Sequence, residues 1–179
     1  CVKTSYKSLF IPLPQMSPTR KPATIRLMST AFHFETPPPP ALYVHLPWCV
    51  RKCPYCDFNS HPLREALPEE AYVEALLADL AMEHAMMAAP RTIETVFFGG
   101  GTPSLFSPAA IGRVLESADD LFGLARDAEI TLEANPGTAE ADHFRGYRAA
   151  GVNRLSIGVQ SFADDKLAAL GRIHGGAEA

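Results

Sequence analysis

The 179-residue chain has no apolar run approaching the ~20 residues of a membrane-spanning helix. It has no excess of positive charge: the formal net charge is −4 and the pI is near 5.9, which argues against a general nucleic-acid binder. It shows no secretory signal of the usual kind, so no oxidising compartment is implied. Its glycine-rich stretch carries no GxxxxGK spacing, which excludes a phosphate-binding P-loop. Cysteines are few, four in all, and no second CxxC or HxxxH pair exists to complete the usual two-pair zinc site. The chain also lacks any acidic residue before Glu35.

Against that scarcity, three of the four cysteines sit together in "CVRKCPYC", as Cys49, Cys53 and Cys56, spaced C-x3-C-x2-C. A disulfide would leave one thiol unpaired, and Cys1 is remote in sequence. A zinc site would need a fourth ligand, which His45 or His61 could provide. A cubane iron–sulfur cluster held by three thiolates would keep one iron open to an outside ligand. The triplet alone leaves zinc and cluster both standing.

The composition, 47% hydrophobic and 20% charged, is that of an ordinary globular protein long enough to bury one core. Residues 1–40 differ from the rest. They carry Lys3, Lys7, Arg20, Lys21 and Arg26 among Ser, Thr and Pro, and end in "TPPPP", a stiff polyproline-like spacer. A basic, acid-poor leader is compatible with an organellar transit peptide. Met28, which opens "MSTAFHFETPPPP", is a plausible native start, and residues 1–27 then read as upstream translation. Residues 1–40 are expected to be disordered, and residues 41–179 to form the folded part.

From residue 41 strand and helix signals alternate. "ALYVHL" (41–46) is a strand closed by Pro47, and Pro68 opens a helix with apolar positions Tyr72, Val73, Leu76, Leu77 and Leu80. "ETVFFGGG" (94–101) is a second strand. Ser107 and Pro108 start the next helix as N-cap and N1, with a stripe of Ile111, Val114, Leu115, Ala118 and Phe122, and Gly123 ends it. "EITLEANPG" (129–137) is a third strand, followed by a helix capped by Thr138 and stopped at Gly151. "NRLSIGVQSF" (153–162) is a fourth strand, and a fourth helix begins at 163. This βα repetition predicts parallel strands with helical crossovers, in a Rossmann-like sheet or a TIM-like barrel. Both architectures put chemistry at the C-terminal ends of strands. There the chain delivers the cysteine loop, then "GGGTP", then Glu133 and Asn135, then Gln160.

In combination, "YVHLPWCVRKCPYCDFNSH", "GGGTP", "EANP", "GVQSF" and "LGRIH" resemble the radical SAM superfamily. Their order resembles the oxygen-independent coproporphyrinogen III oxidase family, and within it the HemW-type haem-chaperone branch. The resemblance covers residues 41–179. It implies an α/β fold, the first part of a partial TIM barrel ending after about four βα units. It implies that Cys49, Cys53 and Cys56 bind a [4Fe–4S] cluster whose open iron takes S-adenosylmethionine. Reductive cleavage of that cofactor would yield a 5′-deoxyadenosyl radical. Gly100, Gly101 and Thr102 would hold the methionine end and Glu133 the ribose hydroxyls. Gln160 and Arg172 would complete the polar shell, Arg172 facing the carboxylate. Tyr43 and Tyr55 would line the pocket. Haem or a porphyrinogen, an electron-donor protein and a haem-accepting respiratory protein are the implied partners, and the cytoplasm the implied location, or an organelle if residues 1–27 are a transit peptide.

Read one at a time, several of these residues have plainer roles. Glu133 could be a surface carboxylate, and the tyrosines pocket-wall residues. His45 is expected to be a satisfied core histidine, His61 and His174 loop histidines, and Arg51, Lys52 and Asp57 solvated charges. Two departures from the family stand out. Phe58 occupies the position where the porphyrinogen-decarboxylating members carry a further cysteine, which favours the haem-chaperone branch. The haem-binding His-Asn-x-x-Tyr motif of that branch does not occur in this chain.

Overall fold

The computed structural model describes residues 36–136 and 141–178. The basic leader, its candidate start at Met28 and the helix cap assigned to Thr138 lie outside the described residues.

Four strands form one all-parallel sheet in chain order: β1 (Ala41–Leu46), β4 (Ile93–Gly100), β5 (Leu124–Ala134) and β6 (Arg154–Ile157). Two short strands, β2 (Trp48–Cys49) and β3 (His61–Pro62), pair parallel with each other. Helices α1 (Glu69–Met86), α2 (Pro108–Phe122), α3 (Ala141–Ala149) and α4 (Asp164–Ala169) follow the four long strands in turn. Strand order that follows chain order, without reversal, is barrel winding; a Rossmann sheet would reverse at its switch point.

One face of the sheet carries the core. Val44 and Leu46 of β1, Val96 and Phe98 of β4, and Ile130 and Leu132 of β5 are buried against Val73 and Leu80 of α1 and Ile111, Val114 and Leu115 of α2. The helix residues are the period-3.6 positions read from the sequence, and the strand residues alternate along each strand. The Ser107 side chain accepts from Ala110 N at 3.1 Å, a cap worth about 1 kcal/mol. Glu69, from the first turn of α1, accepts from both Ser107 N (2.6 Å) and Ser107 Oγ (2.8 Å) and so ties the two helix starts together.

The alternate positions form the other face, in two layers. Tyr43, Phe97, Thr131 and Arg154 are in register across the sheet, and so, one step nearer the C-terminal ends, are His45 and Gly99 and then Glu133 and Ser156. This face carries the polar groups. The proline run is used at its end: Pro38 O accepts from Arg91 Nη1 (2.9 Å) and Pro40 O from Glu94 N (3.0 Å).

Three boundaries differ from the sequence reading. The first helix starts at Glu69, with Pro68 as its N-cap just outside the first turn. The third strand starts earlier, at Leu124, because Leu124 pairs with Ile93 ahead of a register shift, and it ends at Ala134. The fourth strand spans only Arg154–Ile157; beyond it the chain makes tight turns through Val159 N to Ile157 O and Ser161 N to Val159 O, and the carbonyls of Gly158 and Val159 are taken by the side chains of Arg172 and His174.

Candidate active site

The cysteine loop is closed at its base. β2 and β3 pair, His61 N donates to Pro47 O (2.7 Å) and Leu63 N to Cys49 O (2.8 Å), so residues 50–60 project as a loop from the C-terminal end of β1. Within it, Cys56 N donates to Cys53 O at 3.1 Å, a turn with Pro54 at its second position. Lys52, expected to be a solvated charge, is anchored instead: Nζ donates to Phe58 O (3.0 Å) and Ser60 O (2.9 Å) across the loop. Cys49 is buried, Cys53 and Cys56 are half-buried, and all three are free thiols.

Two of the three glycines are held by close approach of the protein to itself. Gly100 has φ +117°, and a Cβ there would lie 2.7 Å from the His45 ring; one at Gly101 would lie 2.5 Å from Trp48 O. The strand end is thereby pressed onto the backbone that enters the cysteine loop, where Gly101 N donates to Leu46 O (2.8 Å) and Thr102 N to Trp48 O (2.7 Å).

These elements enclose a cavity of about 390 Å³ at the C-terminal ends of the strands. Cys49, Cys53, Tyr55 and Cys56 line one side. Gly100, Gly101, Thr102 and Glu133 line the strand side, and Gln160 and Arg172 close the remainder. Ten of the eleven residues assigned from the sequence therefore meet in one place. Tyr43 is not on this wall. It stacks on Phe97, donates toward His45 Nδ1 (2.9 Å) and lines a separate, more apolar cavity of about 690 Å³ between β1 and α1.

His45 is satisfied on both ring nitrogens, as expected, but it is half-buried beside the more apolar cavity rather than in the core. Nε2 bonds Asn59 O at 2.7 Å; since a carbonyl only accepts, Nε2 carries the hydrogen and Nδ1 receives the Tyr43 hydroxyl. Phe58 lines the cavity and is 60% exposed.

A hydrogen-bonded chain links the walls. Asn135 Nδ2 donates to Thr102 Oγ1 (2.9 Å), and Arg172 Nη2 donates to Asn135 Oδ1 (2.6 Å) and Gly158 O (2.6 Å). Arg172 Nη1 reaches Cys53 Sγ at 3.5 Å, while Nε is buried without a partner. Asn135, which the sequence reading noted at a strand end without assigning it a role, is thus the joint between the GGGT turn and Arg172. Its contacts run through the fold rather than along the chain, and only its place in "EANP" hinted at it.

Burial pushes the Glu133 carboxyl above its usual range, with a hydrogen bond from Gly100 N (3.3 Å) pulling the other way. Burial also raises the Tyr55 hydroxyl, helped by its contact with Cys53 and opposed by Arg172. The thiols line one cavity, yet among the described residues no three His, Cys, Asp or Glu side chains are gathered to hold a single metal ion. Thiolates on separate irons of a cubane need not meet at one point. The orphaned Arg172 Nε offers a donor to an incoming anion. The residues present fit a cluster with an anionic ligand beside it.

Comparison with known proteins agrees with this geometry. The radical SAM superfamily model matches residues 43–179. The heme chaperone HemW of Escherichia coli (strain K12) is 58% identical over 142 residues, which is 79% of this chain and 37% of that protein. A mitochondrial radical S-adenosyl methionine domain-containing protein 1 from Bos taurus is 45% identical over 78% of this chain and 31% of its own length. The solved coproporphyrinogen III oxidase (HemN) of Escherichia coli, a radical SAM enzyme, superposes with a TM-score of 0.69 at 32% identity, over 76% of this chain and 31% of that one. The chain spans less than two fifths of the length of these relatives. With three free thiols and the GGGT turn facing one cavity at the sheet's C-terminal end, and a family match across most of the sequence, the chain belongs to the radical SAM superfamily.

Proposed function

We propose that this chain is the cluster- and S-adenosylmethionine-binding part of a haem chaperone. Cys49, Cys53 and Cys56 hold a [4Fe–4S] cluster, and Gly100, Gly101 and Thr102 receive the methionine end of the cofactor. Glu133 accepts from the ribose hydroxyls, and Gln160 and Arg172 complete the polar wall, Arg172 offering Nε to the carboxylate. Tyr55 flanks the cluster, and Tyr43 acts from the inner face of the sheet, through His45, rather than from the cavity wall. When bound, the cluster and cofactor supply reductive cleavage of a sulfonium carbon–sulfur bond.

The observation that carries this reading is the single cavity joining the thiols to Glu133, Gln160 and Arg172. The haem assignment follows the 58% identity to a heme chaperone and Phe58 in place of a further cysteine. In this reading the protein takes electrons from a donor protein and passes haem to a respiratory acceptor, in the cytoplasm. An organellar setting is the alternative, in keeping with the mitochondrial relative.

A second reading, a porphyrinogen-oxidising enzyme, is favoured by the likeness to coproporphyrinogen III oxidase. Anaerobic reconstitution followed by EPR tests the shared part: S-adenosylmethionine should perturb the reduced cluster's spectrum. Haem titration against a coproporphyrinogen decarboxylation assay, on the gene's longest product, separates the two. A sample that takes up zinc but neither iron nor sulfide would defeat both.

A further inference from the structure

Gln160 is the only non-glycine residue with a positive φ, +69°, among the described residues. A side chain with a Cβ adopts that conformation only where its surroundings impose it. The surroundings here are two side chains from one turn after α4, which opens at Gly171 with φ +70°. Arg172 Nη2 takes the carbonyl of Gly158, and His174 Nε2 lies 3.1 Å from the carbonyl of Val159. A carbonyl only accepts, so the ring nitrogen facing it is the protonated one.

His174, expected to be a loop histidine, is buried to 4% exposure, and its Nδ1 has no partner. A buried imidazole with one nitrogen unsatisfied is an unfavourable filler; an apolar side chain would occupy that space without the penalty. The one bond His174 makes is to the peptide that leads into Gln160. Val159 O also accepts from Ser161 N at 2.9 Å, which folds the chain back around Gln160. With the carbonyls of 158 and 159 both fixed, the direction in which Gln160 leaves the backbone is fixed too.

We propose that His174 is a positioning residue that, through the Val159 carbonyl, holds Gln160 on the cavity wall for S-adenosylmethionine. This rests on the cofactor reading of the cavity given above.

The test uses the whole chain, reconstituted anaerobically, with radiolabelled S-adenosylmethionine in equilibrium dialysis. His174→Phe should bind about tenfold more weakly, the loss usual for a supporting residue. His174→Gln, whose amide reaches the same carbonyl, should stay within about twofold of the parent. Iron and sulfide content should be unchanged in both. In a Gln160→Ala background His174→Phe should cost nothing further, because the two act in series. Without cofactor, amide exchange at Gln160 and Ser161 should quicken in His174→Phe alone. His174→Leu replaces the Phe variant if that one loses its cluster. Unchanged binding in His174→Phe, with Glu133→Ala and Gln160→Ala both weakened, overturns this inference and leaves the cavity reading intact. An equal loss with and without Gln160 also overturns it, reducing His174 to packing. If Glu133→Ala and Gln160→Ala leave binding unchanged, the cavity reading falls and takes this role with it, whatever the exchange data show.

Discussion

Arg172 and Cys53 are 119 residues apart in sequence, and Arg172 Nη1 lies 3.5 Å from Cys53 Sγ. A guanidinium keeps its charge at any working pH, so Cys53, a ligand in the proposed reading, is held against a permanent cation. A cation beside a cluster favours the reduced, more negative state. Arg172→Met should therefore shift the cluster's reduction potential to a more negative value in an EPR redox titration. It should also weaken S-adenosylmethionine binding by about tenfold or more, as expected for loss of a charge-assisted hydrogen bond of ~1.5–3 kcal/mol. An unchanged potential would show that Arg172 does not sense the cluster.

The three thiols should be individually indispensable. Cys49→Ala, Cys53→Ala and Cys56→Ala each remove one of the three proposed ligands, so each should lose most of its acid-labile sulfide and the [4Fe–4S] EPR signal after reconstitution. Retention of the cluster by all three variants rules out the ligand assignment.

Glu133 should give cofactor binding a pH dependence. Its carboxyl titrates above the usual value of 4.5, chiefly through burial, and only the ionised form is a full acceptor for two hydroxyls. Affinity should fall as pH is lowered through that raised value, and Glu133→Gln should bind weakly and without that dependence. The stability sign is opposite. A carboxyl whose folded pKa is raised contributes stability below pH 4.5 that is lost as pH rises through the folded value. Glu133→Gln should therefore be relatively more stable near neutrality than near pH 4, measured by urea midpoints.

Gly101→Ala should be more damaging than its size suggests. The new methyl would lie 2.5 Å from the Trp48 carbonyl, which is backbone and cannot rotate away. A loss of about 1–3 kcal/mol is expected for such overpacking, with lower cluster occupancy, because the displaced backbone enters the cysteine loop. Iron content and the urea midpoint should fall together; an intact loop with a normal midpoint would mean the strand end can shift freely.

Much of this was legible in the sequence because period and punctuation act locally. The stripes of α1 and α2, the Ser107 cap and the C-terminal stop at Gly123 depend on neighbours three or four residues away, and they stand where periodicity placed them. Nine of the ten site residues that share one cavity stand at or just after strand ends, which parallel winding brings together, and Arg172 reaches them from the turn after α4. What escaped was non-local. The fourth strand reads as ten residues but pairs over only four, and Arg172 and His174 take the carbonyls of Gly158 and Val159 just beyond it. Lys52 reads as a solvated charge and His174 as a loop histidine because nothing nearby in sequence reveals the carbonyls they reach. Tyr43 stands on the correct face of β1 but lies against Phe97 and His45, away from the cavity.

The β2–β3 ladder that closes the cysteine loop joins residues only about a dozen positions apart. The contacts of Arg172 that complete the cavity bridge 37 residues to Asn135 and 119 to Cys53. Loop-closure entropy makes the short ladder the quicker to form. On a growing chain the thiol loop can close while α4 is still unsynthesised, and the guanidinium arrives last. The thiol wall of the pocket is therefore the first to assemble and the guanidinium wall the second, so in the proposed reading the cluster's side of the site takes shape before the cofactor's.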